Sequence, residues 1–180
     1  MNALLAERIA PTEISLRPAA PRDAELLRFW RSEPSVSRYQ PLSDLPSAQL
    51  RADLASQRIS DLYRGRGDKY QWVVQVGTQP VGWITLVVSN WEHSIAEVGY
   101  ALSTPFQGRG VMVPALEILI RDLFENTPLE RLEARCATEN LGSQRVLEKA
   151  GFHREGVLRR YFKLRGERVD NFLYARLRDE

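Results

Sequence analysis

Phe106-Gln107-Gly108-Arg109-Gly110-Val111-Met112-Val113-Pro114-Ala115 is the stretch on which the fold turns: a basic, glycine-bearing loop that leaves a strand-like segment and runs straight into an apolar-periodic helix. Two glycines let the backbone bend without Cβ hindrance. The first amides of the following helix have no intrahelical partner and carry the positive end of its dipole, so such a loop is suited to holding an anion, phosphate above all. It does not become a P-loop, which ends Gly-Lys-Ser/Thr. Nor does it follow G-x-G-x-x-G spacing, because Val113 stands where the third glycine belongs.

Upstream of the loop, residues 96–102 alternate: Glu97, Gly99 and Ala101 share one face, and Val98, Tyr100 and Leu102 the other. The spacing predicts a strand whose Glu97 carboxylate points away from apolar neighbours. Residues 70–76 and 81–88 are rich in β-branched and aromatic types, and Gly77-Thr78-Gln79-Pro80 between them reads as a hairpin turn. Downstream, Leu116, Leu119, Ile120, Leu123 and Phe124 recur at helical spacing. Leu132, Ala134 and Cys136 then alternate with Arg131, Glu133 and Arg135, a half-exposed strand with Cys136 on its apolar side.

Asn140 opens another helix, in which Val146, Leu147 and Ala150 face inward, and Gly151 supplies a left-handed stop before Phe152. Residues 159–164, a turn at Arg165-Gly166-Glu167 and residues 169–177 form a closing hairpin. At the other end, Ile14-Ser15-Leu16-Arg17 reads as a strand and Pro21 opens a helix burying Ala24, Leu27 and Trp30. Ser47 is expected to cap a helix that carries Leu50, Leu54 and Leu62 and ends near Tyr63. The order of elements is α+β, without the regular alternation of a doubly wound nucleotide fold.

Composition narrows the function classes. A chain of 180 residues with net charge +2 is long enough for one core and has no clustered basic stripe, so direct nucleic-acid binding is not expected. Cys136 is the only cysteine, which excludes an internal disulfide and suits a cytoplasmic protein. Residues 1–10 contain Glu7 and Arg8 and no sustained apolar run, so neither a secretory signal nor a membrane anchor is expected. Residues 1–12 read as a mobile leader, and 13–180 as a single domain. His93 and His153 stand apart with no ligand-spaced partners, so no metal is expected.

These motifs together resemble the GNAT N-acetyltransferases, in particular the branch similar to the ribosomal-protein-alanine acetyltransferases RimJ and RimL. The likeness spans nearly the whole chain: Gln107-Gly108-Arg109-Gly110-Val111-Met112 is similar to the family's pyrophosphate loop, and Ala96-Glu97-Val98-Gly99-Tyr100 to the strand leading into it. Asn140-Leu141-Gly142-Ser143, the run from Val146 through Gly151-Phe152, and the tail from Gly156 through Tyr174 also resemble that branch. Met112 departs from the family's usual small residue, and its longer side chain is a concern for cofactor approach.

The resemblance implies a GNAT fold with a mixed, mostly antiparallel sheet and a V-shaped splay between the strand ending near Leu102 and that ending near Cys136. Acetyl-CoA would be the co-substrate. Its pyrophosphate would lie on Gln107, Gly108, Arg109, Gly110, Val111 and Met112, and its pantetheine against the backbone of Leu102 and Ser103, with Asn140 and Ser143 also lining the arm. A bulge near Leu102 would aim one amide at the thioester oxygen. Glu97 is the candidate base, directly or through water, and a surface ion pair is its alternative role. Leu147 stands where many members carry a tyrosine acid, so Ser143 is the candidate donor to the departing sulfur. The implied activity is acetyl transfer to a primary amine, either a protein N-terminal α-amine or a small-molecule amine. The alternative, motivated by Met112 and Leu147, is a non-catalytic acyl-CoA-binding module. Tyr161 and Asp170 are candidates for lining the acceptor site, and a homodimer is expected by family similarity.

Overall fold

The computed structural model describes residues 8–42 and 44–180. Its elements run β1 (Ile14–Pro18), α1 (Ala24–Ser32), α2 (Pro34–Ser37), α3 (Ser47–Ser56), α4 (Ile59–Leu62), β2 (Lys69–Val76), β3 (Gln79–Asn90), β4 (Ile95–Leu102), α5 (Met112–Asn126), β5 (Arg131–Ala137), α6 (Leu141–Lys149), β6 (His153–Leu164) and β7 (Glu167–Leu177). Seven strands form one sheet in the order β1-β2-β3-β4-β5-β7-β6. The β4–β5 pair is parallel and the others are antiparallel, so the expected mixed α+β sheet is the one observed.

Each face of the sheet buries its own cluster. Leu116, Leu119, Ile120 and Leu123 of α5 are buried against Val98, Leu102, Leu132 and Tyr174, and each such side chain contributes roughly 1.5–3 kcal/mol on burial. Pro114 falls in the first turn of α5, where its missing N–H would have had no helical partner. On the opposite face Leu27, Trp30, Leu50 and Leu54 pack on Val73, Trp83 and Ala101, with the Trp30 and Trp83 rings stacked at 6.2 Å.

Three local expectations need correction. The helix expected from Ser47 to Tyr63 is two helices, because Gln57 and Arg58 are extended (ψ 129° and 96°). The Gln57 side chain explains the break: its Nε2 donates to the Ala19 and Gln71 carbonyls and its Oε1 accepts from the Gln71 N–H, tying this turn to β2. Ser47 does not cap α3, since Pro46 holds the cap position and Ser47 Oγ donates to Glu25 instead. The final hairpin is longer than expected, its first strand starting at His153.

Part of the expected leader, residues 1–7, lies outside the described residues. Of the remainder, Ile9 packs against the main core and its N–H donates to the Arg109 carbonyl at 3.1 Å, which brings residues 8–10 onto the glycine loop.

The entry to α1 is fixed by a buried ion pair. Arg17 Nη1 and Nη2 each lie 2.7 Å from an Asp23 oxygen, and the Ala20 N–H donates to the same carboxylate. Burial pushes the Asp23 carboxyl upward, but these hydrogen bonds and the charges of Arg17 and Arg22 outweigh it and leave it below the usual carboxylate range. A carboxyl depressed by folding stabilises above its unfolded pKa of about 3.9 and loses that contribution as pH falls through the folded value. Asp23→Asn is therefore expected to destabilise by about 3 kcal/mol at neutral pH, because it strands Arg17, and to flatten the acid limb of the stability curve below about pH 4. Urea unfolding from pH 3 to 7 measures both, and a variant with a wild-type acid limb would contradict the assignment.

The feature that positions the site is a split in the sheet. β4 and β5 pair only at Ile95↔Arg131, Ala96↔Leu132 and Glu97↔Glu133. Beyond that point β4 stays on β3 as far as Leu102, while β5 stays on β7 as far as Ala137, so each arm keeps an outer partner while the inner edges diverge. The splay predicted between Leu102 and Cys136 is this gap. The expected bulge near Leu102 is not found: the β3–β4 register runs unbroken from Gly82↔Leu102 to Val88↔Ala96 and shifts only at Val88/Asn90.

Candidate active site

The glycine loop sits at the open end of the gap. Gly108 and Gly110 adopt φ of 73° and 81°, and a Cβ at Gly108 would meet no atom within 4 Å, so that side of the loop is clear for a ligand. A side chain at either position would be strained. The α5 backbone begins at Met112, with the Ala115 N–H returning to the Val111 carbonyl at 3.3 Å. The amides of Val111, Met112 and Val113 precede the helical hydrogen-bond pattern and carry its positive end. Met112 itself is 4% exposed and its side chain lies in the main core, so the methionine does not crowd the cradle. Arg109 stacks its guanidinium 5.5 Å from the Phe106 ring centroid, and Arg8 Nε lies 3.9 Å from a Cβ placed on Gly110. The residues fit a diphosphate.

Gln107 and Ser103, two of the residues expected along the cofactor, have hydrogen-bond partners within the protein. Gln107 Nε2 donates to the Leu102 carbonyl (2.8 Å) and to Ser35 Oγ (3.0 Å), stitching the end of β4 to α2, and its backbone N–H donates to the Thr104 carbonyl at 3.3 Å, so the phosphate donors lie further along the loop. Ser103 has its N–H on the Val81 carbonyl at 2.9 Å and its carbonyl on the Phe106 N–H at 2.9 Å. Its N–H is committed within the protein, and its carbonyl keeps one lone pair for a further donor. The inner edge of β4 belongs to Tyr100 and Leu102. The Tyr100 carbonyl accepts from Gln40 Nε2 at 2.8 Å, so a second glutamine, missed in the sequence, rests on this edge. Glu33 adds a third tie from the same side: its Oε2 accepts from the Thr104 N–H at 2.7 Å and from the Thr104 hydroxyl.

Glu97 stands at the apex of the gap, on the sheet face shared with Ala101 and Trp83. Its Oε2 is ion-paired with Arg135 Nη1. Arg135 also approaches Glu133 at 3.7 Å and lies 5.2 Å from the Tyr161 ring centroid, so the candidate base belongs to a charged row on β4 and β5 roofed by an aromatic ring. Gly99, next along this face, is exposed with no atom within 4 Å of a Cβ position. That leaves room for an acceptor beside Glu97. The β6–β7 register steps from Leu158↔Asn171 to Phe162↔Val169, so Arg159, Arg160 and Tyr161 stand opposite Asp170 alone. Asp170 holds this bulge by accepting from the Arg160 N–H at 2.6 Å, with Arg160 at φ 53°. Tyr161 therefore reaches the site, and Asp170 shapes the backbone that carries it.

Ser143 lies across the gap on α6. Asn140 caps that helix, its Oδ1 accepting the Ser143 N–H at 3.1 Å, as the sequence predicts. The Ser143 hydroxyl is 2.8 Å from the Tyr100 phenol oxygen. Glu97 and Ser143 thus stand on opposite faces of β4, one beside the charged row and the other beneath the gap. Cys136 is 3% exposed, its thiol directed at the Ala137 and Asn140 carbonyls, and burial pushes that thiol up. It is a core residue. Leu147, where a tyrosine acid was sought, is 1% exposed in the main cluster.

Sequence reasoning gave no role to Tyr100, Arg135 or Gln40. Tyr100 was legible in principle: a phenol on an apolar strand face must find a hydrogen-bond partner. Arg135 looked like one more exposed charge in an alternating strand, and Gln40 lay in a proline-rich stretch with no periodicity to place it.

Two parallel strands that part beside a glycine loop, with a helix opening on that loop, define a class. The family model of the acetyltransferase (GNAT) domain matches residues 13–153, and the chain belongs to that family of acetyl-CoA-dependent acyltransferases. It is 29% identical over 181 residues to an uncharacterized N-acetyltransferase, p20, of Bacillus licheniformis, covering 100% of this chain and 98% of that protein. Among solved structures, ribosomal-protein-S5-alanine acetyltransferase from Vibrio fischeri aligns with a TM-score of 0.80 and 20% identity over 93% of this chain and 94% of that one. Spermidine N-acetyltransferase from Vibrio cholerae, in complex with CoA and spermine, aligns with a TM-score of 0.80 and 20% identity over 93% and 97%. At these identities the two structures support the fold. Among the described residues no helix is long and apolar enough to cross a membrane.

Proposed function

We propose that this protein transfers the acetyl group of acetyl-CoA to a primary amine, a protein N-terminal α-amine or a small-molecule amine, with both substrates bound at once. The observation that carries this reading is the gap beyond Glu97↔Glu133, open between two strand edges and continuous with the Gly108–Gly110 cradle. A pantetheine arm fits there as an added strand, against the inner edge at Tyr100 and Leu102. The named activities of the two structural neighbours, on a ribosomal protein and on spermidine, bracket the acceptor classes.

Acetyl-CoA supplies an acyl carbon activated as a thioester. The amides of Val111 to Val113 hold its phosphates, and Glu97 draws the acceptor ammonium to the apex of the gap. There Glu97 takes up the proton, directly or through water, while Arg135 fixes the carboxylate. An α-amine, at about 7.7–8.0, asks little of a base, whereas a lysine-like amine at about 10.4 asks much more. Carboxylates are weak bases, so a carboxylate at this position suits the α-amine. The non-catalytic alternative loses one of its two motives, since the Met112 side chain is buried away from the cradle.

Glu97→Gln is expected to lower kcat/KM about tenfold for an α-amine acceptor, a modest loss for general-base catalysis because the amine is nearly neutral already. The sign of the pH effect follows. Without the carboxylate, the rate climbs until the amine itself is neutral, near pH 8, so the acid limb moves to higher pH. Initial rates across pH 6–9 test this, and an unchanged profile would leave Glu97 as an ion-pair partner only.

A further inference from the structure

Tyr100 projects from the arm of the gap that ends on the glycine loop, and Ser143 from the helix that follows the other arm. Their hydroxyls meet at 2.8 Å, a contact in which either oxygen can donate; the phenol also lies 3.3 Å from the Ser143 carbonyl, and the Ser143 hydroxyl also neighbours the Cys136 thiol. The contact therefore ties together the two sides that part beyond Glu97. Ser143 occupies the first turn of the nine-residue α6, its N–H taken by the Asn140 cap. That terminus favours negative charge.

We propose that Tyr100 donates its phenolic hydrogen to Ser143 Oγ, so that the Ser143 hydrogen can turn from the Cys136 side into the gap and bind the sulfur that leaves when the acetyl group is transferred. Tyr100 is then a positioning residue acting through Ser143. The inference rests on the acetyl-transfer reading above and specifies how the leaving group is handled.

In the transfer step the amine nitrogen forms a bond to the acetyl carbon, and the carbon–sulfur bond breaks with its electron pair remaining on sulfur. The ammonium gives one proton to Glu97 or to water before attack, and the nitrogen releases a second proton to water as the neutral amide forms. The hydrogens of Tyr100 and Ser143 stay on their own oxygens throughout. A serine hydroxyl is too weak an acid to surrender its proton to a thiolate, and burial pushes the Tyr100 phenol well above its ordinary value, so it too keeps its proton. What the pair provides is two aligned O–H dipoles, each polarising the next, aimed at the charge that develops on sulfur. This also accounts for Leu147: no tyrosine acid is needed where the leaving thiolate is held by hydrogen bonds and takes its proton from solvent afterwards.

The test reads the bound product and needs no turnover. CoA is titrated in complex with wild type, Y100F, S143A and Y100F/S143A, following thiolate absorbance as a difference spectrum against each free protein below about pH 9, where tyrosines remain neutral. Binding itself is measured by calorimetry. In wild type the bound thiol is expected to ionise at lower pH than free CoA. Y100F and S143A should each raise that midpoint by about 1 pH unit, a tenfold change in thiolate population, and the double variant should rise no further than S143A. A Y100F midpoint equal to wild type, or a double variant shifted by the sum of the singles, overturns the chain. CoA that fails to bind wild-type protein overturns the acetyl-transfer reading and this inference together. Thermal melts show whether each variant is folded. If Y100F is not, 3-fluorotyrosine placed at position 100 gives the complementary readout: a stronger donor lowers the midpoint, and an unchanged or raised midpoint contradicts the proposal.

Discussion

Gly82→Ala is expected to lower stability by about 3 kcal/mol, at the upper end of over-packing costs, and to drop the melting temperature by roughly 6–12 °C for a chain of this size. A Cβ at Gly82 would stand 2.3 Å from the Ala101 carbonyl oxygen, 2.8 Å from Leu102 Cδ2 and 3.0 Å from Leu102 Cα. Two of those atoms are backbone, so no rotamer change relieves the clash. β3 and β4 must separate where Gly82 faces Leu102. That displaces the arm that leads into the glycine loop, so weaker acetyl-CoA binding should accompany the lost stability. Gly99→Ala is the control in the same sheet: nothing lies within 4 Å of its Cβ position, and its melting temperature should stay close to wild type. Thermal melts of the two variants decide the matter, and equal melting temperatures would contradict the packing account.

The second large effect should separate binding from stability. Replacing both Gly108 and Gly110 with alanine is expected to weaken acetyl-CoA binding about 100-fold, from one to two kcal/mol of left-handed strain at each position. Neither Cβ meets a close neighbour, the nearest atom being Arg8 Nε at 3.9 Å from Gly110. In the free protein this exposed loop can relax away from φ of 73° and 81°, so the melting temperature should change little. On binding, the amides must converge again, and the strain then appears in the dissociation constant. Calorimetry with acetyl-CoA beside a thermal melt measures the split. A double variant that binds as wild type does would mean that the loop does not hold the phosphates.

The contrast between these two sites shows which features a linear sequence carries. The left-handed turn at Gly108 and Gly110 was legible because it depends on local conformation and on the helix that follows within a few residues. Gly82 was not, because its constraint comes from Ala101 and Leu102 on another strand. The same division runs through the site. Asn140 as a cap, Gly151 as a stop and the buried stripe of α5 are local patterns, and each was found where the periodicity placed it. Glu97 was singled out correctly as a carboxylate on a sheet face, yet its partner Arg135 lies on a strand that meets β4 only through the parallel crossover. The committed N–H of Ser103, the inward turn of Gln107 and the break at Gln57 depend likewise on tertiary hydrogen bonds with no sequence periodicity.

A set of side-chain ties also joins the segment between α1 and α3 to the loop end of β4. Gln40, Glu33 and Ser35, from the segment between α1 and α3, reach the Tyr100 carbonyl, Thr104 and Gln107 at the loop end of β4. Any ligand laid along that edge must share it with these side chains.

The central claim is transfer of acetyl to a primary amine, and the most direct measurement uses deuterium-labelled acetyl-CoA with a panel of acceptors read by mass spectrometry. The panel holds peptides with free N-terminal alanine or serine, polyamines, single amino acids and a protein extract. The account predicts a labelled acetyl group on the nitrogen of a primary amine, released CoA thiol in equal amount, and loss of both with the Gly108/Gly110 double variant. Tight binding of acetyl-CoA with no labelled product from any acceptor, in the panel or in the extract, would contradict it.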